Sequence, residues 1–501
     1  MEPKSHKVKV LQVCNIAPPP LSVSKYSTLP LTLFDLPYLI RPPAELLLFY
    51  TLQPIDHDYF LGTIVHKIKH SLSLTLQHWY PLSGTLSWPP QSNKPIITYN
   101  NGDSVRLTVA ESSADFDHLS TSNYAKNVDE LHHLMPQLMS INYSKKQVIP
   151  LLALQITLFP HKGVCIGVIS NHAAMDGRAV SLFLTSWASV CRLGNEPAPS
   201  VSLLPTFDRQ TIKDPNGLEK MYLEGLIRFV RSKSMSENDC NNWLLVSMSH
   251  KVSENSLMAT FDLTNADIER LRRYWTLACK STEIVLKSSS EGKEGHEAKP
   301  IKVSRFVLAC AFTWICLTKT SYQHDEQAVV TSSSSTRDEQ TSIVFLVDCR
   351  GRTDPPIPPT YIGNCCVPMK VSAKVLDIVS HENGIVVAVD CIVKAMRGLS
   401  VAVANDPELR LSRTLNTSPN YRTWSIAGSP QFGFCKIDFG FGRPKKFEFL
   451  SMARTGSILF SDSGNEGVAM EIGLVRRKQE MDSFAHQYFK GLHDLVCKSS
   501  L

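Results

Sequence analysis

His172 and Asp176 stand four residues apart in the stretch Ser170-Asn171-His172-Ala173-Ala174-Met175-Asp176-Gly177. An imidazole titrates near ~6.5, so at physiological pH it is largely neutral and able to take a proton from a hydroxyl. A carboxylate nearby can orient such a base or, at the mouth of a helix, cap its free N–H groups. No other histidine among the 16 in the chain has an aspartate four positions on. Chance alone provides about one such pair, so a second landmark is needed. It lies far downstream at Asp438-Phe439-Gly440-Phe441-Gly442. The two glycines there permit a tight backbone path that residues with a Cβ resist. This Asp-Phe-Gly is not a kinase magnesium loop, because the chain has no Gly-x-Gly-x-x-Gly and no His-Arg-Asp. The absence of Gly-x-Ser-x-Gly argues likewise against a serine hydrolase.

These residues need elements to hold them. Gly163 to Ile169 is a short, nearly all-apolar run and predicts a buried strand. Val180, Phe183, Leu184, Trp187, Ala188 and Cys191 then recur at three and four residues, one face of a helix starting near Gly177. His172 therefore falls at the C-terminal end of a strand, and Asp176 at the entrance of the next helix. Lys7 to Val13 alternates as a strand does, residues 59–78 carry helical spacing, Phe306 to Leu317 reads as a buried helix, and Ile343 to Val347 as a strand. Asp377 to Val403 fits no single period. Lys287–Lys299 and Thr331–Thr341 are too polar to offset their ordering entropy and are expected to be disordered.

At 501 residues the chain exceeds what one core supports, so two domains are expected. Residues 194–217, rich in Pro, Ser, Asn and Asp, are the best candidate for a linker. A net charge of +6 and a pI near 8.6 do not suggest nucleic acid, which needs a clustered basic face, but suit an anionic small substrate. The 13 cysteines include no Cys-x-x-Cys, so no metal site is expected. Reduced thiols point to the cytosol. No run of 18 apolar residues occurs, Met1 to Val13 lacks a signal peptide's apolar core, and no membrane association is expected. Ser499-Ser500-Leu501 is only distantly like a peroxisomal tail and reads as a frayed terminus.

With both landmarks in place, the chain resembles the BAHD acyl-CoA-dependent acyltransferases of plants, whose signatures are His-x-x-x-Asp-Gly and Asp-Phe-Gly-Trp-Gly. Here they read His172 to Gly177 and Asp438 to Gly442. Leu29 to Tyr38, Tyr80 to Gly84, Asp348 to Arg352 with Pro355-Pro356, Tyr361 to Cys365 and Arg443 to Lys446 are similar to the branch acting on anthocyanins, flavonoid glycosides and phenolic glycosides. The matches run in family order from near residue 29 to about 480. One departure stands out: Phe441 occupies the place where the family usually has Trp, so a ring N–H is missing while apolar packing is kept.

The resemblance implies an α/β fold of two chloramphenicol-acetyltransferase-like domains, each a mixed sheet flanked by helices, with a channel between them. We set residues 1–205 as the domain carrying the first motif, 206–235 as a crossover and 236–501 as the domain carrying the second. The resemblance further implies acyl transfer from acyl-CoA, bound as a co-substrate with no resident cofactor, to a hydroxyl or amine. His172 becomes the general base. Asp176 is implied to face away from substrate and pair with an arginine, Arg350 or Arg352. Asp438, Phe439, Gly440, Phe441 and Gly442 read as architecture near the CoA channel. Arg443, Lys445 and Lys446 suit the phosphates of CoA, and Arg178 an acyl carboxylate such as malonyl presents. The expected enzyme is a monomeric O-acyltransferase taking malonyl, or secondly hydroxycinnamoyl, to a phenolic glycoside. The alternatives are an alcohol or amine acyltransferase and a non-catalytic binding protein of the same fold.

Overall fold

The computed structural model describes residues 8–20, 26–89, 91–122, 125–138, 141–143, 146–194, 204–233, 255–281, 303–328, 339–380, 383–397 and 422–498. Two large mixed sheets and one small sheet organise them. The first runs in the order Val8–Ile16, Val105–Ser112, Leu152–Phe159, Gly163–Ser170, Ala44–Thr51 and Lys446–Phe449. Its Val105–Ser112 and Leu152–Phe159 strands are parallel and the other neighbours antiparallel. The second runs Cys366–Lys374, Gln340–Asp348, Thr423–Ala427, Ile458–Ser461, Val468–Arg477, Ser256–Thr264 and Lys126–Asn127. A five-stranded antiparallel sheet begins with Tyr26–Pro30 and Ile96–Asn100.

The strand Gly163–Ser170 is buried at all of its eight positions, as its unbroken apolar run requires. Its chain turns into the helix Gly177–Leu193, whose buried side includes Val180, Phe183, Leu184, Trp187 and Cys191. That face packs on the helix His66–Leu76, where Trp187 Nε1 donates to Ser71 Oγ at 3.1 Å. The C-terminal sheet is backed by the helices Arg305–Ala328, Gly384–Arg397 and Lys478–Lys498. Phe312 meets Tyr488 edge-on there, with centroids 5.3 Å apart.

The two halves are less separable than the boundary at 205 and 236 implies. Lys446–Phe449, from the C-terminal half, forms the edge of the first sheet against Ala44–Thr51. Lys126–Asn127, from the N-terminal half, extends the second sheet beside Ser256–Thr264. Two ion pairs seal this exchange: Lys126 Nζ to Glu448 Oε1 at 2.8 Å and Lys446 Nζ to Glu471 Oε2 at 2.6 Å, all four side chains buried. The crossover is also tied down where it is described. Thr206 N donates to Thr360 O at 2.9 Å, Arg209 Nη1 donates to Ile362 O at 2.7 Å, and Leu218–Lys233 is a helix.

Asp377 to Val403 resolves into the end of a short helix, Val375–Val379, and the helix Gly384–Arg397; residues 398–403 lie outside the described set. Lys287–Lys299 and 331–338 also lie outside it. The expectation of disorder does not hold at the end of the second segment. Gln340 and Thr341 open a strand, and the buried Thr341 hydroxyl accepts from Trp314 Nε1 at 3.0 Å.

Candidate active site

His172 sits in the turn between the buried strand and the helix that follows it. Asn171 shapes the turn: its N–H donates to Leu151 O at 2.8 Å and its side chain accepts from Ala173 N at 3.0 Å. Two long-range contacts then fix the histidine. Its ring stacks on Tyr38, with centroids 4.4 Å apart and planes 17° apart. Its carbonyl accepts from Asn364 Nδ2 at 2.8 Å. Asn364 is anchored in turn on the buried Asp35, whose Oδ1 accepts from Asn364 N at 2.8 Å and Nδ2 at 3.2 Å. Thr32 satisfies the other oxygen of Asp35, through its N–H at 2.9 Å and hydroxyl at 2.8 Å. Asn364 thus ties the His172 turn to the segment of Thr32 and Asp35.

Asp176 faces away from the ring of His172 and into a polar knot. Its Oδ1 caps the helix, accepting from Ala179 N at 2.9 Å. Its Oδ2 accepts from Arg350 Nη1 at 2.8 Å and Cys365 N at 3.1 Å. Arg350 is the partner that the sequence left open between two arginines; Arg352 is exposed. The guanidinium of Arg350 is fully engaged, donating also to Asp348 Oδ1, Tyr361 O and Gly363 O. Burial works against the Asp176 carboxylate, but Arg350 and the two backbone N–H groups outweigh it and hold its pKa below 3.8.

A cavity of about 1880 Å³ opens beside this turn, lined from both halves of the chain. Tyr38, Arg41, His172, Met175 and Arg178 line it from one side, and Leu346, Asp348, Cys366, Trp424 and Phe432 from the other. The ring of His172 is half-buried at its wall. Nδ1 is buried, which leaves Nε2 as the nitrogen that can serve the cavity. Burial lowers the His172 pKa below 6.5, with its own backbone and Asp176 pulling weakly the other way. The ring is therefore neutral at pH 7 and can act as a base. Gly177 is needed for clearance, since a Cβ there would stand 2.7 Å from the Phe432 ring.

Asp438 to Gly442 lines no part of this cavity. Asp438 Oδ1 accepts from Gly440 N at 2.7 Å and Gly442 N at 2.9 Å, closing the loop on itself. Both glycines have positive φ, 94° and 88°, a conformation that other residues resist. Phe439 is buried edge-on against Trp187 at 4.8 Å. Phe441 meets Tyr50 at 5.9 Å, and Tyr50 Oη donates to Ile437 O at 3.0 Å. The loop thus packs on the helix that follows the His172 turn and on Ala44–Thr51, the strand paired with the one that leads into it. An aromatic ring suffices for that packing.

The candidate cations separate. Arg178 lies at the cavity, with Nε donating to Pro359 O at 3.3 Å and Nη1 3.8 Å from Asp348 Oδ2. Arg443 is exposed, and Lys445 is paired with Asp117 at 2.9 Å. The two lysines around it, Lys162 and Lys445, draw the Asp117 carboxyl down to about 2. None of Arg443, Lys445 and Lys446 lines the large cavity. Lys446 differs from the other two. It shares one face of its strand with Glu448, and that face is the buried seam, so its ammonium is spent on Glu471. Among the described residues no group of His, Cys, Asp or Glu could hold a metal ion, and no helix is long and apolar enough to cross a membrane.

The model of the Transferase family matches residues 7–490. The chain belongs to this family, the BAHD acyltransferases. The acyltransferase is 33% identical to phenolic glucoside malonyltransferase 2 of Arabidopsis thaliana, covering 97% of this chain and 99% of that one. It is 34% identical to coumaroyl-CoA:anthocyanidin 3-O-glucoside-6''-O-coumaroyltransferase 1 of the same plant, over 95% and 96% of the two chains. Its fold is similar to that of vinorine synthase, with a TM-score of 0.61 at 19% identity over 95% of this chain and 96% of that one. The two-domain chloramphenicol-acetyltransferase-like architecture and acyl-CoA dependence follow from that membership. Tyr38, Asp35 and Asn364 are site residues of this acyltransferase to which sequence reasoning gave no role. The signal was present, since all three fall within short stretches that carry the family resemblance.

Proposed function

We propose that this acyltransferase moves a malonyl group, or secondly a hydroxycinnamoyl group such as coumaroyl, from its CoA thioester to a hydroxyl of a phenolic glycoside such as an anthocyanin or flavonoid glucoside. The observation that carries the reading is the neutral His172 ring at the wall of a cavity formed by both halves. The names of the relatives support the substrate class. Acyl-CoA and the acceptor meet at Nε2. His172 takes the acceptor's hydroxyl proton as its oxygen attacks the thioester carbonyl. The tetrahedral intermediate then collapses, the C–S bond breaks, and the leaving thiolate recovers the proton from the imidazolium. General-base help of this kind is worth on the order of 100- to 10,000-fold.

Asp176 serves as a positioning residue, holding the turn through Arg350 without touching substrate. Asp438 to Gly442 support the helix that follows this turn. Arg178 contacts the donor at the cavity, and Arg443 and Lys445 offer cations to its phosphates. The enzyme works as a monomer in the cytosol on small molecules, a compartment in keeping with its free cysteines. The test is a matrix of malonyl-, acetyl- and coumaroyl-CoA against phenolic, flavonoid and anthocyanin glucosides, scored by thiol release and product mass. The expected result is turnover with malonyl-CoA and a glucoside. Thiol release only with simple alcohols or amines would move the enzyme to another substrate class, and no release at all would remove the enzymatic reading.

A further inference from the structure

Among Arg41, Arg178 and Arg350, the arginines that line the cavity with the His172 turn, Arg41 is the one with no carboxylate beside it among the described residues. It lies half-buried in the wall, directly after the turn Leu36–Tyr38, and its N–H donates to Tyr38 O at 3.1 Å. Tyr38 is the residue stacked on His172. Among the described residues the Arg41 guanidinium has no hydrogen-bond or ion-pair partner. The neighbouring guanidiniums differ. Arg350 is engaged by two carboxylates and two carbonyls, and Arg178 stands near Asp348 and donates to Pro359 O. A charge withdrawn from water without a partner is costly. A site that keeps one is matched to an anion brought by its ligand, and a planar guanidinium is matched best to a carboxylate. Arg41 lines the same cavity as Tyr38 and His172, which sets its charge beside the reacting groups.

We infer that Arg41 receives a substrate carboxylate beside His172 and so selects carboxylate-bearing substrates. The inference deepens the proposed acyl transfer and rests on it. The carboxylate belongs either to the acyl group, as in a malonyl donor, or to the acceptor. Sequence reasoning assigned that task to Arg178, but the carboxylate of Asp348 already lies beside its guanidinium.

The experiment compares wild type with Arg41→Gln, and with Arg41→Lys, in two arms scored by thiol release. The first pairs malonyl-CoA with acetyl-CoA on one neutral glucoside. The second pairs a glucoside bearing a free carboxylate with its methyl ester, using acetyl-CoA. Arg41→Gln is expected to lower kcat/KM for the carboxylate-bearing member of one pair by roughly 10- to 100-fold, the range of a lost charge-assisted hydrogen bond. A loss common to both members cancels in the ratio of their kcat/KM values, and the fall in that ratio is the result read. A drop in the first arm assigns the donor as the source, and a drop in the second the acceptor. Arg41→Lys, which keeps the charge, is expected to recover part of the loss and controls for folding. An equal fall for both members of each pair, or no fall in either pair, overturns the inference. A wild-type enzyme that releases no thiol from any donor defeats the functional reading instead, so the two failures are distinguishable.

Discussion

Replacing Arg350 by alanine should damage both the stability of the protein and its reaction, and the structure says by how much. The side chain is nearly sealed, with 3% of its surface exposed. It donates to Asp176 Oδ2 at 2.8 Å, Asp348 Oδ1 at 3.1 Å, Gly363 O at 3.0 Å and Tyr361 O at 3.1 and 3.3 Å. Removing it strands the Asp176 carboxylate in the interior, a change that costs about 3–5 kcal/mol. It also frees the segment Tyr361–Asn364, whose last residue holds the His172 carbonyl. Urea unfolding at pH 7 should therefore show a loss of that size, together with a large fall in kcat.

The effect also has a signature in pH. In the wild type the Asp176 pKa is depressed, so its contribution is present above the ordinary carboxylate value of 3.8 and fades as pH falls through the lower folded value. Without Arg350, burial dominates and the folded pKa rises above the unfolded one. The variant then gains stability on protonation, so its deficit against wild type shrinks as pH drops from 7 toward about 4. A variant as stable as wild type, or a deficit independent of pH, would refute the assignment of this pair as the clamp of the histidine turn.

Other expectations are more direct. The acid limb of kcat/KM should lie below 6.5, because burial lowers the His172 pKa and activity is lost only as pH falls through that lowered value; a limb above 6.5 in a pH–rate profile would contradict this. Lys446→Met should leave Glu471 uncompensated in the seam and destabilise by about 3–5 kcal/mol in urea unfolding, with KM for acyl-CoA unchanged. Arg443→Ala combined with Lys445→Ala should instead raise that KM, read in initial-rate kinetics, with little effect on the acceptor.

Local signals in the sequence were strong where the physics is local. The apolar run at 163–169 and the three-four spacing from Val180 to Cys191 gave the strand and helix that frame His172, and an aspartate just before a helix gave the cap. What stayed hidden depends on pairing across long stretches of chain. Arg350 and Arg352 are two residues apart, and only the folded turn shows which one reaches Asp176. Lys446 looks like part of a basic surface run in sequence. Strand alternation puts it on the seam face, opposite to its exposed neighbour Lys445. The exchange of strands between the halves leaves no mark in composition, because Lys126–Asn127 and Lys446–Phe449 are too short to show a period. Asp35 and Asn364 are 329 positions apart and meet only in the fold.

The central claim is that the His172 ring takes a proton from an acceptor hydroxyl inside the shared cavity. The most direct measurement is thiol release by His172→Ala at saturating acyl-CoA and acceptor, with unfolding curves run alongside. The account predicts a folded protein whose turnover is lowered by on the order of 100- to 10,000-fold. A folded His172→Ala enzyme with near-normal turnover would contradict it.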